Sequence, residues 1–318
     1  MKNIYLNIYK PNLVNLKKAK KNLENNKIIG MPTETVYGLA GNAYSNKSVK
    51  KIFKLKKRPL FNPLIIHYNN LNDLEKDVII NKSFKKLYKV FCPGPITFIL
   101  KKKPKSKISQ MACAGKKTVA IRIPKHVVAK KLLKILKVPL AAPSANISSK
   151  LSSTCASDVV DEFGNKVRFI LDGGRCKVGL ESTILDLSTR PTILRQGAIS
   201  ANEIFKILNK KIINKKKSKL IKSPGQLKLH YYPGIPVLLN KKKAKKNEAF
   251  IIFGKKFKGG KNRFNLSKNN NLREAANNLY KIMRKIKKKK YKFMLVCKIP
   301  NKGIGIAIND RLKKASFK

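Results

Sequence analysis

Short apolar runs alternate with amphipathic stretches along the first 200 residues of the chain. A short apolar run is typical of a strand, whereas an apolar position every three or four residues is typical of a helix. Strands are predicted at residues 27–31, 96–100, 118–123, 138–142, 167–171, 182–187 and 192–194. Helices are predicted after Ser45, which can cap a helix, and at residues 84–91, 125–137, 155–163 and 201–208. This order predicts an α/β domain built on a twisted mixed sheet.

Proline and glycine change the pattern after about residue 205. The segment 206–236 contains a lysine-rich stretch followed by SPGQLKLHYYPGIP, which predicts an extended linker. Beyond it, strands at 237–239, 249–253 and 293–298 and helices at 271–287 and near the C-terminus predict a small Rossmann-like α/β domain. The chain is therefore predicted to consist of a larger domain (1–205), a linker (206–236) and a second domain (237–318).

The charge of the chain is extreme. There are 74 lysines and arginines against 15 acidic residues, a net charge of +59. Clustered cations favour nucleic acids, because they release counterions from phosphates. Lysine far outnumbers arginine, however, and Lys, Asn and Ile are the residues of AT-rich codons, so a base-biased genome explains the excess better. We expect only weak tRNA or RNA binding through the basic surface.

Cysteine usage and hydropathy indicate the compartment. The five cysteines are scattered and include no C-x-x-C pair, which argues against a disulfide framework or a zinc site. No apolar run approaches the ~18 residues that cross a bilayer, and the N-terminus is unlike a signal peptide. These features predict a cytoplasmic protein without a membrane partner.

Candidate ligand-binding residues follow predicted strands rather than a Walker-type phosphate loop, since no G-x-x-x-x-G-K-[ST] or strand-linked G-x-G-x-x-G occurs. In MPTETVYGLAGNA, hydroxyl groups precede Gly38 and Gly41; a small-ligand site and a helix cap with a glycine turn fit this pattern equally. Arg122 and Arg195 lie in apolar strands, where a charge is costly unless it is paired or binds an anion.

Lys56 and Arg58, in KLKKRPLFNPLIIH, could clamp phosphates with a point charge and a bidentate guanidinium. A solvated lysine run is the alternative. Ser144 and Asn146, in LAAPSANIS, either bind a ligand or cap the next helix. Arginine is the better indicator of an anion site in a chain whose cations are mostly lysine.

Nine ordered segments resemble the threonylcarbamoyl-AMP synthase (YrdC-like) family in its long, two-domain form. They are MPTETVYGLAG, KKRPLFNPLIIH, PGPITFIL, VAIRIP, APSAN, GLESTI, ILRQG, SPGQLKLHYYP and GIGIAINDRLKKA. The resemblance implies a YrdC-like catalytic domain at 1–205 and a linker that crosses the active site. It also implies that L-threonine, bicarbonate and ATP are condensed to threonylcarbamoyl-AMP and pyrophosphate, for modification of an adenosine beside the tRNA anticodon.

The resemblance further implies roles for individual residues. Those expected to act on the phosphates in catalysis are Lys56, Arg58, Ser144 and Asn146. Those expected to bind ATP are Arg58, Asn62, Thr118, Ser144, Ser152, Arg195 and Tyr231. Those expected to bind L-threonine are Thr35, His67, Arg122, Ala142 and Ser182. Mg²⁺ is expected to be held mainly through ATP, with no protein metal site, and the product to pass to a tRNA threonylcarbamoyl transferase complex.

Four positions depart from the family pattern. Gln196 and Ser153 stand where proline is usual, Ser149 where glycine is usual, and Tyr232 where a small residue is common. None removes an expected ligand, so altered loop stiffness is expected rather than lost activity.

Two other functions compete with this interpretation. A nonenzymatic RNA-binding protein would use the basic surface alone. A carbamoyl-transfer domain of hydrogenase maturation shares the fold, but the absence of C-x-x-C pairs and the presence of the linker and second domain count against it.

Overall fold

The computed structural model describes residues 5–210, 212–214, 224, 230–257 and 260–316. The strands of the first sheet are β1 (Ile8–Tyr9), β2 (Ile29–Met31), β3 (Gly38–Asn42), β4 (Ile65–His67), β5 (Ile96–Lys101), β6 (Thr118–Arg122), β7 (Leu140–Ala141), β8 (Ile170–Leu171), β9 (Thr183–Asp186), β10 (Thr192–Arg195) and β11 (Ile213–Asn214). Their order is β1-β8-β2-β3-β7-β4-β6-β5-β9-β10-β11, with parallel and antiparallel neighbours. The predicted α/β fold with a mixed sheet is confirmed.

Helices cover this sheet. They are α1 (Leu13–Glu24), α2 (Asn46–Lys56), α3 (Leu71–Glu75), α4 (Lys82–Phe91), α5 (Val127–Leu136), α6 (Ala156–Phe163) and α7 (Ala201–Leu208). Ser45 caps α2 by accepting a hydrogen bond from the Ser48 amide, as predicted. The helix ends at Lys57, whose left-handed backbone (φ 50°) turns the chain so that Arg58 leaves the helix axis. No helix in the described part of the chain has the length and apolar character needed to span a membrane.

The sequence left two alternatives for the glycine-containing segment after β2, one of them a helix cap with a glycine turn. The glycines of this segment do not form that structure. They lie in strand β3, which pairs with β2 and β7. Its glycines are explained by packing: a Cβ on Gly41 would lie 2.8 Å from Cδ1 of Ile28. Gly41 therefore allows the close approach of a neighbouring side chain.

The second domain contains β12 (Val237–Leu238), β13 (Ala249–Ile252), β14 (Arg263–Asn265) and β15 (Met294–Val296), with α8 (Leu272–Lys288) and α9 (Gly305–Ala315). The strands form a parallel sheet in the order β12-β15-β13-β14. This confirms the second α/β domain. Val36, Leu151 and Leu180 of the first domain pack into the same apolar cluster as this sheet and α8, so the two domains share a buried interface.

The predicted linker begins inside regular structure. Helix α7 extends to Leu208, and β11 pairs with β10 of the first sheet. Most of the remaining predicted linker lies outside the described residues. The domain limits given above remain a prediction.

Candidate active site

One pocket lies where several strands of the first sheet end. The described residues that line it are Thr33, Thr35, Val36, Tyr37, Gly38, Arg58, Ile65, His67, Arg122, Ala142, Pro143, Ser144, Glu181, Ser182, Arg195, Pro224, His230 and Tyr231. Parallel pairing of β4 with β6 sets His67 beside Arg122. The structure thus brings together residues from distant parts of the sequence, including the linker.

Arg58 is a buried guanidinium held by its own loop. Its Nε donates to the Asn62 carbonyl oxygen at 2.9 Å, and its Nη2 donates to Asn62 Oδ1 at 2.6 Å and to the Pro63 carbonyl at 2.8 Å. Burial, and then the nearby Arg195 cation, lower the pKa of Arg58 to about 9. A cation so placed gains stability from an anionic ligand. Asn62 does not line the pocket; it orients Arg58.

Arg195 ends β10 and is anchored to the start of β9. Its Nε donates to the Ser182 carbonyl at 3.0 Å and its Nη2 to Ser182 Oγ at 3.1 Å. A Cβ on Gly197 would lie 2.2 Å from the Thr183 amide nitrogen, so the turn after Arg195 packs tightly on this segment. Among the described residues, neither Arg195 nor Arg58 forms an ion pair.

Arg122, by contrast, is paired. Its Nη2 donates to Glu34 Oε1 at 2.7 Å in a buried ion pair, and its Nη1 donates to Thr35 Oγ1 at 2.8 Å. The sequence indicated that a buried arginine here must be paired or bind an anion, and it did not identify Glu34 as the partner. Arg122 Nε has no hydrogen-bond partner within the described structure.

Lys56 is not among the pocket-lining residues. Its buried ammonium group donates to the carbonyl oxygens of Ser144 and Asn146. Burial holds the pKa of Lys56 well below its usual range. In this structure Lys56 supports the loop that carries Ser144, which does line the pocket, whereas Asn146 bonds to the backbone of Ile147 and Lys150.

Thr118 and Ser152 also lie outside the lining. Thr118 begins β6 and Arg122 ends it, so the two are four residues, or about 13 Å, apart on one face of the strand. Ser152 donates to Glu181, which lines the pocket. Ala142 lines the pocket directly.

Ser149, one of the departures from the family pattern, has a left-handed backbone (φ 69°), the conformation in which glycine is favoured.

His67 and the linker complete the pocket. Burial, and then the Arg122 charge, lower the pKa of His67 to about 3, so its imidazole is neutral near pH 7. Tyr231 is fully buried although it belongs to the linker, and its ring packs 4.0 Å from that of His230. The sequence predicted no role for three residues found here: the pocket residues His230 and Glu181, and Glu34, the ion-pair partner of Arg122. For His230, the segment HYYP in the linker was the one available signal.

Buried polar atoms without hydrogen-bond partners concentrate here. Within the described residues they include His67 Nδ1, Arg122 Nε, His230 Nδ1 and Tyr231 OH. Because buried polar groups in native proteins are nearly always bonded, this concentration favours a polar ligand. The described residues contain no group of three or more His, Cys, Asp or Glu side chains that could hold a metal ion.

Two family models match the chain. One, described as "Telomere recombination" (Sua5/YciO/YrdC), matches residues 21–197, and one for the C-terminal domain of threonylcarbamoyl-AMP synthase matches residues 199–316. The chain belongs to the threonylcarbamoyl-AMP synthase family. The family assignment rests on models of both domains.

Individual members of the threonylcarbamoyl-AMP synthase family are similar to this chain over most of its length. The threonylcarbamoyl-AMP synthase of Pyrococcus abyssi is 36% identical over 91% of this chain and 90% of its own length. That of Bacillus subtilis is 34% identical over 92% and 90%. The crystal structure of P. abyssi Sua5 complexed with L-threonine matches with a TM-score of 0.88 at 33% identity, covering 97% of this chain and 96% of that one.

Proposed function

We propose that the chain is an L-threonylcarbamoyladenylate synthase, a nucleotidyltransferase that condenses L-threonine, bicarbonate and ATP to threonylcarbamoyl-AMP and pyrophosphate. The observation that carries the proposal is the set of side chains in one pocket. Two buried arginines there form no ion pair with any described residue, and they lie with a neutral histidine and a third, oriented arginine. The names of the relatives over both domains support the same reaction.

The charges of the pocket fit adenylation. The carbamate of threonine attacks the α-phosphorus of ATP; a new P–O bond forms, the bond to the β-phosphate breaks, and pyrophosphate leaves. Such a step needs alignment and neutralisation of phosphate charge more than covalent help. Arg58 and Arg195 are the cations that bind phosphate in this proposal, and Arg122 with Thr35 binds the amino-acid carboxylate. Neutral His67 accepts or donates a hydrogen bond there.

A small apolar cluster lies beside the pocket. Ile65, Ile99, Ala120 and Ile184 form a small buried cluster on the sheet, and Ile65 lines the pocket. Ala120 lies between Arg122 and Thr118 on β6.

The described pocket residues offer no free carboxylate to Mg²⁺. The one acidic side chain among the described pocket residues, Glu181, is already bonded to Ser152, Tyr280 and Arg311. These residues do not fit a protein-held Mg²⁺, and our expectation remains that the ion is held by ATP and water.

The remaining partners also stay predictions. Transfer of the product to a tRNA threonylcarbamoyl transferase complex and a cytoplasmic location follow from the family and the composition. A groove with no acidic lining residue supports weak RNA binding. Its cations are Lys27, Lys51, Lys54, Lys57, Lys166 and Arg168. RNA affinity that did not fall steeply with salt would argue against this surface.

Pyrophosphate release tests the function. The purified chain is incubated with ATP and Mg²⁺, and threonine or bicarbonate is omitted in turn. We expect release to require both, and mass spectrometry to detect threonylcarbamoyl-AMP. Release that ignores threonine would refute the proposal, and RNA binding without any release would favour the nonenzymatic alternative.

A further inference from the structure

Side chains of the second domain contact one pocket-lining carboxylate of the first domain, that of Glu181. Glu181 is 4% exposed and lines the pocket. It accepts hydrogen bonds from Ser152 Oγ, from the Tyr280 hydroxyl at 3.2 Å and from Arg311 Nε at 2.9 Å. Tyr280 lies on α8 and Arg311 on α9. Two of the three side chains that hold this carboxylate therefore come from the second domain.

The same two side chains hold the linker tyrosine. The guanidinium carbon of Arg311 lies 5.1 Å from the centre of the Tyr231 ring, and the rings of Tyr231 and Tyr280 stack with centroids 5.9 Å apart. All three side chains are at most 1% exposed. A desolvated cation over an aromatic face stabilises this arrangement.

Arg311 supplies the counter-charge for Glu181. Burial alone would raise the pKa of Glu181, but the charges of Arg311 and then Arg195 bring it down to about 2. Arg195 is close enough to act on the carboxylate, yet it forms no ion pair with it, and it bonds instead to Ser182, the next residue in the chain. A buried carboxylate that lost Arg311 would seek another cation, and Arg195 is the other cation whose charge lowers the pKa of Glu181.

We propose that Arg311 and Tyr280 are positioning residues, which hold the Glu181 carboxylate away from Arg195 and so leave Arg195 available for the phosphates of ATP. This inference rests on the proposed function, because it assumes that Arg195 binds the nucleotide. It gives the second domain a direct part in the active site: its arginine compensates the Glu181 charge, which would otherwise compete with the substrate.

The test removes the charge of Arg311. Arg311→Met keeps an extended side chain, and Asp310, the other acid paired with Arg311, retains Lys314. In the full chain we expect the KM for ATP to rise at least tenfold while the KM for L-threonine changes less than threefold. Repeated in a Glu181→Gln background, the same substitution should change the KM for ATP less than threefold, because the competing carboxylate charge is gone.

Two further variants make the test decisive. Tyr280→Phe removes one hydrogen bond but keeps the stacked ring. It should raise the KM for ATP three- to fivefold, and this variant decides the matter if Arg311→Met does not fold. Asn277→Ala is the control, because it cuts different bonds between the domains, from Asn277 Nδ2 to the carbonyls of Cys176 at 2.6 Å and Lys177 at 3.0 Å. Both KM values should then stay at the wild-type level.

The outcomes separate this inference from the proposed function. Equal rises of both KM values in Arg311→Met, or the same effect with and without the Glu181 charge, would overturn the positioning role, as would an unchanged KM for ATP in Tyr280→Phe. Wild-type pyrophosphate release without threonine would instead overturn the proposed function.

Discussion

The buried pair of Glu34 and Arg122 offers a sharp test of how the pocket orients its arginines. Oε1 of Glu34 accepts from Arg122 Nη2 at 2.7 Å, and Oε2 accepts from the Lys125 amide at 3.1 Å. Glu34→Gln has nearly the same shape but offers one acceptor and one donor. Whichever way the amide turns, its N–H group faces another donor.

The structure sets the size of the effect. Breaking a buried ion pair by removing one charge costs about 3–5 kcal/mol. Arg122 keeps its hydrogen bond to Thr35, so the lower end, about 3 kcal/mol, is expected. At about 2–4 °C per kcal/mol for domains of 150–250 residues, the melting temperature should fall by about 6–12 °C. The KM for L-threonine should rise at least tenfold, because the guanidinium loses its orientation.

Thermal unfolding followed by circular dichroism measures the first effect, and the pyrophosphate assay measures the second. Glu24→Gln is the matched control: Glu24 pairs with Lys20 at 3.7 Å, and the two side chains are 52% and 38% exposed. An exposed pair contributes about 0–1 kcal/mol, so the control should melt close to the wild type. A Glu34→Gln protein that melts like the Glu24→Gln control would refute the reasoning.

Two other predictions concern single pocket residues. Since the pKa of His67 is lowered to about 3, its NMR resonances should not titrate between pH 5 and 8. The free energy of unfolding should decrease as the pH drops from about 6.5 towards 3, because only the unfolded chain gains a proton on this histidine in that range. His67→Gln should weaken this pH dependence. A titration midpoint near 6.5 would contradict this. Arg58→Lys should lower kcat/KM at least a hundredfold with the fold intact by circular dichroism, because an ammonium group cannot reproduce the guanidinium fork; activity within tenfold of wild type would exclude the phosphate-clamp role.

Local signals explain which elements could be predicted. Ser45 before an amphipathic run, and the apolar runs that became β5 and β6, carry their structure in neighbouring residues. Helix α1 was not predicted, because Leu16, Ala19 and Leu23 are its only buried positions in a lysine-rich segment. Strand β3 was not predicted because glycine has low strand propensity, and only its tertiary neighbours require glycine there.

Some features of the candidate site could likewise be predicted from the sequence, and others could not. Arg58, Arg122 and Arg195 could be selected from the sequence because arginine is rare in a chain full of lysine, and all three line one pocket. Which of them is neutralised could not be predicted. The partner of Arg122, Glu34, lies 88 positions away, and no periodicity or spacing relates residues so far apart.

The second domain shows why charge pairing decides what a basic pocket can bind. Arg311 occurs in the helical sequence NDRLKK, where a cation among polar residues predicts an exposed side chain, yet it is 1% exposed and bonded to Glu181, 130 positions away. Two buried carboxylates are thus compensated by specific arginines: Glu181, which lines the pocket, by Arg311, and Glu34, which lies behind the lining residue Arg122, by Arg122 itself. Buried cations without such partners are costly in the absence of a ligand, and that cost is recovered when an anion binds. If Arg195 binds phosphate as we propose, its affinity therefore depends on the Glu181–Arg311 ion pair, in which Arg195 takes no part.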